Sequence, residues 1–174
     1  SPERLLDEVT LFLHQVVSEL PDEQQKMIRK ARSRDALLEG RRILVSELAR
    51  QVRADGVYFE QATYYQRYTA DFYLHAILLA RASRHPLPIE AAETAERVVE
   101  HLLAAVRPDG RIPLVGDDDG GRLLTLDTSH SADVRPTLAT AAGVFGRGDF
   151  LAAAGHGSEA AALWLVGASE LARV

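Results

Sequence analysis

Apolar residues recur at spacings of three and four along most of this chain, and proline or glycine punctuates each recurrence after a few turns. That spacing places one apolar stripe on each of a series of helices. Ser1-Pro2-Glu3 supplies a hydroxyl cap, a first-turn proline and an acid at the positive dipole end, and Leu5, Val9, Phe12, Val16 and Leu20 follow on one face. Pro21 ends this helix, and Asp22-Glu23 opens a more polar one to about Arg32, with only Met27, Ile28 and Ala31 as a weak stripe. Asp35 reads as the cap of a third helix, buried through Leu37, Leu38, Leu44, Val45, Leu48 and Val52 and stopped by the Asp55-Gly56 turn. A fourth is expected over about 61–84, with Tyr65, Tyr68, Phe72 and Leu79 near one face. Pro88 suits the first turn of a fifth, whose stripe of Ile89, Ala92, Ala95, Val99, Leu102 and Val106 opposes Glu93, Glu96, Arg97 and Glu100.

Pro108-Asp109-Gly110 ends that helix, and periodicity is lost from about Arg111 to Ser131, which holds Pro113 and the run Gly116-Asp117-Asp118-Asp119-Gly120-Gly121. A loop this long within a compact domain tends to be functional or mobile. Two shorter helices are predicted over 137–145 and 159–166, separated by the glycine-rich stretch 146–157. Helices joined by short loops, without alternating strands, give an all-α architecture of antiparallel helical hairpins. Periodicity by itself leaves bundle, solenoid and toroid equally open. Residues 1–34 read as N-terminal helices distinct from the remainder, 35–174.

Length and composition bound the function. The chain has 174 residues, 47% hydrophobic and 26% charged, which suits one globular domain with a real core. No apolar stretch approaches the ~20 residues that cross a bilayer, and the N-terminus lacks the charged-then-apolar layout of a signal peptide. Cytoplasm and periplasm both stay open as locations. The absence of cysteine removes disulfides, thiolate nucleophiles and cysteine-type zinc sites. A net charge of −5 argues against a general nucleic-acid binder, which needs a basic face to neutralise phosphates.

The segment densest in chemistry is Asp55-Gly56-Val57-Tyr58-Phe59-Glu60-Gln61-Ala62-Thr63-Tyr64-Tyr65-Gln66-Arg67-Tyr68. It sets four tyrosines, two acids, two amides and an arginine around a turn and a helix start, a mixture that suits a surface gripping a polar ligand. The competing reading makes Tyr65 and Tyr68 core aromatics with their hydroxyls at the surface. The run DGVYFEQATYYQRYTADFYLHAILLAR, continued by RPDGRIPLVGDDDGGR, resembles the heparinase II/III-like polysaccharide lyases, including oligoalginate lyases, and the likeness spans about Leu37 to Trp164.

The resemblance implies part of an (α/α) toroid and β-elimination on a uronic acid-containing polysaccharide; separately, no cofactor or metal is expected. Such chemistry needs a base for the proton α to the carboxylate, neutralisation of that carboxylate, and a proton for the leaving oxygen. Tyr65 matches the family's catalytic tyrosine, and Gln61, Tyr64, Arg67, Asp117 and Asp119 are the implied substrate contacts. The family's Asn-His pair ahead of the Asp-Gly turn has no counterpart; the nearest histidine is His14, with no asparagine before it. The family's second catalytic histidine lies in a β-sandwich that this sequence does not reach. The expectation is therefore a lyase fragment that is inactive alone, with an acidic polysaccharide or oligosaccharide as partner. A toroid cut midway exposes apolar helix faces, so homo-oligomerisation is a second expectation.

Other chemistries fit less well. Counting an EF-hand loop from Asp117 puts Gly121 and Thr128 where oxygen ligands are required. The six histidines show no HExxH or paired helical spacing, and His75 reads as a packing residue. Ser129 and Ser158 lack a Gly-x-Ser-x-Gly context, which leaves a serine hydrolase unsupported. The alternative to an enzyme fragment is a non-catalytic helical module that binds acidic sugars or a protein through the same groove.

Overall fold

The computed structural model of the chain describes residues 21–23, 26, 34–119 and 122–174. The helix expected over 1–20, and most of the one expected over 22–32, lie outside the described residues. Among the described residues seven helices follow one another: α1 (Arg34–Gln51), α2 (Thr63–Ala82), α3 (Ile89–Ala105), α4 (Arg135–Phe145), α5 (Gly148–Ala154), α6 (Ala160–Leu165) and α7 (Ala168–Leu171). Two isolated bridges, Val52 with Tyr58 and Arg111 with Asp133, are the β-type pairings there. The all-α reading is correct. The chain divides into two compact units, 1–44 and 45–174, and the division falls inside α1.

In the unit 45–174, α4 is the central element. Its sequence, Arg-Pro-Thr-Leu-Ala-Thr-Ala-Ala-Gly-Val-Phe, is small or apolar all round, and Pro136 through Ala142, with Val144, are all buried. Neighbours pack on it from several sides: α2, α3, α5 and α6. Gly143 makes one of these approaches possible, because a Cβ there would lie 2.6 Å from a Val166 methyl. The helix ends at Gly146, which takes the left-handed conformation (φ 68°) that closes helix C-termini. Consecutive helices α2 and α3, joined by residues 83–88, also pack on each other, and their buried apolar residues include Tyr73, Leu74 and Ile77 on one and Ala95, Val98, Val99 and Leu102 on the other.

Several sequence-based expectations need correction. On α2 the buried side is Tyr64, Gln66, Arg67, Thr69, Ala70, Tyr73, Leu74 and Ile77, whereas Tyr68, Phe72 and Leu79 are exposed, the last by 70%. This helix is apolar on nearly every side, so spacing could not choose its inner face. On α1 Leu48 is buried, as is Val52 just past its end, but Leu37 and Leu38 are exposed, and Asp35 lies inside the helix rather than ahead of it. Ile89, at the start of α3, is also exposed. The stretch 146–157 is not merely a separator, since it contains α5 with Phe150 fully buried.

The long segment between α3 and α4 has no helix among its described residues, as expected, but its ends are tied together. Ile112 N–H donates to Ala132 O (3.2 Å) and Val134 N–H to Gly110 O (3.0 Å). Ile112 and Val134 are both buried at this junction. Closing the loop at its base directs residues 113–119 toward the start of α2 and residues 122–131 along its flank.

Candidate functional site

The Asp55-Gly56 turn forms as its sequence demands. Asp55 Oδ1 accepts from Val57 N–H (3.2 Å), and Gly56 takes a φ of 83° that favours glycine. A side chain would also be sterically barred there, because a Cβ on Gly56 would come within 2.1 Å of the Arg97 carbonyl oxygen. Gln66 fastens this turn to the core. Its amide donates to Gly56 O (2.7 Å) and Val98 O (3.1 Å), and its oxygen accepts from Tyr58 N–H (2.7 Å). One buried side chain thus satisfies three backbone groups on two separate segments.

The start of α2 meets the 113–119 segment. Thr63 N–H, unsatisfied within its own helix, donates to Val115 O (2.9 Å), and Thr63 Oγ1 accepts from Val115 N–H (3.1 Å). Gly116 (φ 74°) allows the approach, since a Cβ on it would lie 2.8 Å from Ala62 Cβ. Beyond this clasp, Tyr65 Oη donates to Asp119 Oδ2 at 2.5 Å. The structure therefore brings together two of the residues singled out from sequence, Tyr65 and Asp119, across 54 positions of chain.

The electrostatics around Tyr65 are acidic. Its hydroxyl pKa is pushed up to about 12, first by the hydrogen bond to Asp119, then by burial and by the charges of Asp119, Asp117 and Glu60. Tyr65 is thus held in its protonated form, a weaker acid than a free tyrosine, and a base role is disfavoured. Asp117 is exposed beside it. Gln61 is exposed as well and sits at a φ of 59°, a left-handed backbone uncommon for a side chain of this size, with its N–H donating to Tyr58 O (3.0 Å).

Tyr64 and Arg67 do not join this surface. Each is only 5% exposed. The Tyr64 ring packs edge-on against Tyr65, with centroids 5.8 Å apart, and burial raises its hydroxyl pKa. Arg67 Nη1 donates to Ser131 O (2.6 Å), and Nη2 pairs with Asp71 Oδ2 (3.2 Å) one turn along the helix. Positions 64 and 67 lie one turn apart on the inner face, which 65 and 68 do not share.

Sequence reasoning missed a polar cluster on this inner face. Thr137 Oγ1 donates to Asp71 Oδ1 (2.6 Å), and burial raises the Asp71 pKa against the opposing pull of Arg67 and Thr137. Alongside, Arg122 gathers the 122–131 segment around its guanidinium, donating to Asp127 Oδ1 (3.0 Å), Ser129 O (2.6 Å) and Ser129 Oγ (2.7 Å). Burial raises the Asp127 pKa, but the Ser129 hydroxyl and N–H and the Arg122 charge outweigh it, and the net shift is downward. The i, i+4 pairing of Arg67 with Asp71 was the one signal in the sequence that pointed here. No group of three or more histidine, aspartate or glutamate side chains among the described residues is arranged to hold a metal ion. No described helix is long and apolar enough to cross a membrane. In comparisons with protein-family models, curated proteins and solved structures, the chain matches none.

Proposed function

We propose that the junction of α2 with the 113–119 segment is the saccharide-contacting surface of a heparinase II/III-like lyase toroid, with Tyr65 as its proton donor. The observation that supports this reading is the clasp itself. The two segments that carry the family resemblance, 55–68 and 107–122, meet at Thr63–Val115 and at Tyr65–Asp119. The neutral Tyr65 hydroxyl holds the proton that the acid half of β-elimination delivers to the departing sugar oxygen. This role requires substrate to displace Asp119, whose hydrogen bond makes the hydroxyl a weaker acid than a free tyrosine. The other half has no agent here, because Arg67 is committed to Asp71 and Ser131 and the groups nearest Tyr65 are anionic. On this reading the substrate carboxylate sits away from Asp117 and Asp119, and the unit binds an acidic oligosaccharide without turning it over.

Titration of the chain with alginate and heparan-type oligosaccharides tests the proposal. The Tyr65 ring resonances shift, no ultraviolet absorbance of an unsaturated uronate develops, and raised salt strengthens binding by screening repulsion from the acidic segment. Saturating oligosaccharide that leaves the Tyr65 resonances unmoved sinks this reading. A second reading, a non-catalytic module that assembles with a copy of itself, draws support from the exposure of Leu163 and Trp164 on α6. Its signature is a concentration-dependent mass in sedimentation.

A further inference from the structure

Among the described residues the inner face of α2 carries three buried side-chain atoms without a protein partner, Tyr64 Oη, Arg67 Nε and His75 Nε2, and the last two belong to side chains that line one cavity. Arg67 uses Nη1 and Nη2 on Ser131 O and Asp71 Oδ2, while its Nε–H has no partner. His75 Nδ1 lies 2.5 Å from Asp71 O. A carbonyl oxygen only accepts, so Nδ1 carries the proton, and in a neutral imidazole Nε2 is then a lone-pair acceptor. That Nε2 is buried and without a partner. Leaving either atom unsatisfied would cost about 1–3 kcal/mol.

Both side chains line one cavity of about 30 Å³ between α2, α4, α6 and the 122–127 segment, with Asp71, Arg122, Asp127 and Thr137 also in its wall. Three properties of the cavity select its occupant. Its volume suits a single water, which needs at least about 10–15 Å³, and excludes a sugar or nucleotide. Its two guanidinium groups, Arg67 and Arg122, face two carboxylates, Asp71 and Asp127, which pair with them at 3.2 and 3.0 Å, so each guanidinium already has an anionic partner and an uncharged occupant suits the cavity. The two free atoms are one donor and one acceptor, and the occupant must offer the complement of each.

We propose that this cavity binds one ordered water, which accepts from Arg67 Nε–H and donates to His75 Nε2. The water would join α2 to the segment that Arg122 organises, making His75 more than a packing residue. Nuclear magnetic resonance on the wild-type chain tests this directly. The expected results are a cross-peak from a long-lived water to Arg67 Hε and a His75 nitrogen spectrum that places a proton on Nδ1 and none on Nε2. In His75→Phe, with helix content retained by circular dichroism, the water cross-peak is lost. A proton found on Nε2, a missing water cross-peak in the wild-type chain, or an Arg67 Hε resonance that tracks added chloride would each overturn the assignment, the last by naming an anion instead. Should His75→Phe fail to fold, the tautomer and cross-peak of the wild-type chain still decide the question.

Discussion

Gln66 shows what a single buried amide can organise. It is 4% exposed, and its three hydrogen bonds to Gly56 O, Val98 O and Tyr58 N–H hold the Asp-Gly turn, α2 and α3 in one relation. Replacing it with leucine keeps much of the volume and strands those backbone groups. The expected cost is about 2–4 kcal/mol in denaturant unfolding, with no change in the denaturant dependence. A leucine variant as stable as the wild type would show that water replaces the amide at no cost. Tyr65 gives a second prediction. Its hydroxyl is raised from an ordinary value near 10 to about 12. A proton-binding group raised on folding stabilises the fold below its unfolded pKa, and that contribution is lost as pH climbs from about 10 to about 12. Asp119→Asn removes the leading cause, so the Tyr65 midpoint followed by ring carbon shifts falls toward 10. A midpoint unchanged in the variant would remove Asp119 as the cause.

At the scale of elements, ion pairs join helices that apolar contact alone leaves free to slide. Arg147, just ahead of α5, donates to Glu96 (2.7 Å) and Glu100 (2.8 Å) on α3 and to Asp149 (2.7 Å), and its guanidinium stands 4.4 Å from the Phe150 ring. The side chain is about one-third exposed, so each contact is screened and the group is worth about 1–2 kcal/mol together. Arg147→Ala should lower stability by that amount, and the deficit should shrink in high salt as the wild type loses its advantage. A deficit independent of salt would assign the loss to packing on Phe150 instead. The same helices show how far pattern reading reaches. Ala95, Val99 and Leu102 on α3 were legible because glutamates and arginines mark its other face. On α2, where tyrosine, phenylalanine and leucine occur on every side, no polar face existed to point the helix, and only its neighbours could orient it.

For the molecule as a whole, the apolar groups left outside define its solution behaviour. Trp164, the only tryptophan, is 77% exposed on α6. A monomer should emit at the long wavelength of a hydrated indole and be quenched freely by iodide. Assembly through α6 would shift that emission to the blue as concentration rises, and emission constant across the range in which mass increases would place the contact elsewhere.

The sequence by itself determined the longer helices and roughly where they end, because proline, glycine and the three-to-four spacing act locally and need no partner to take effect, whereas the short α5 and α7 carry too few turns to show a pattern. It also marked the Asp55–Tyr68 stretch as a place of concentrated chemistry. Only the tertiary structure decided which side of α2 faces inward, and with it the separate fates of neighbours one position apart: Tyr64 and Arg67 in the core, Tyr65 at the surface with Asp119. The reason is physical. Burial is a property of what another segment covers, and the covering segments here, 113–119 and 122–131, are irregular stretches whose course is set by closure at Ile112 and Val134 rather than by any repeating pattern.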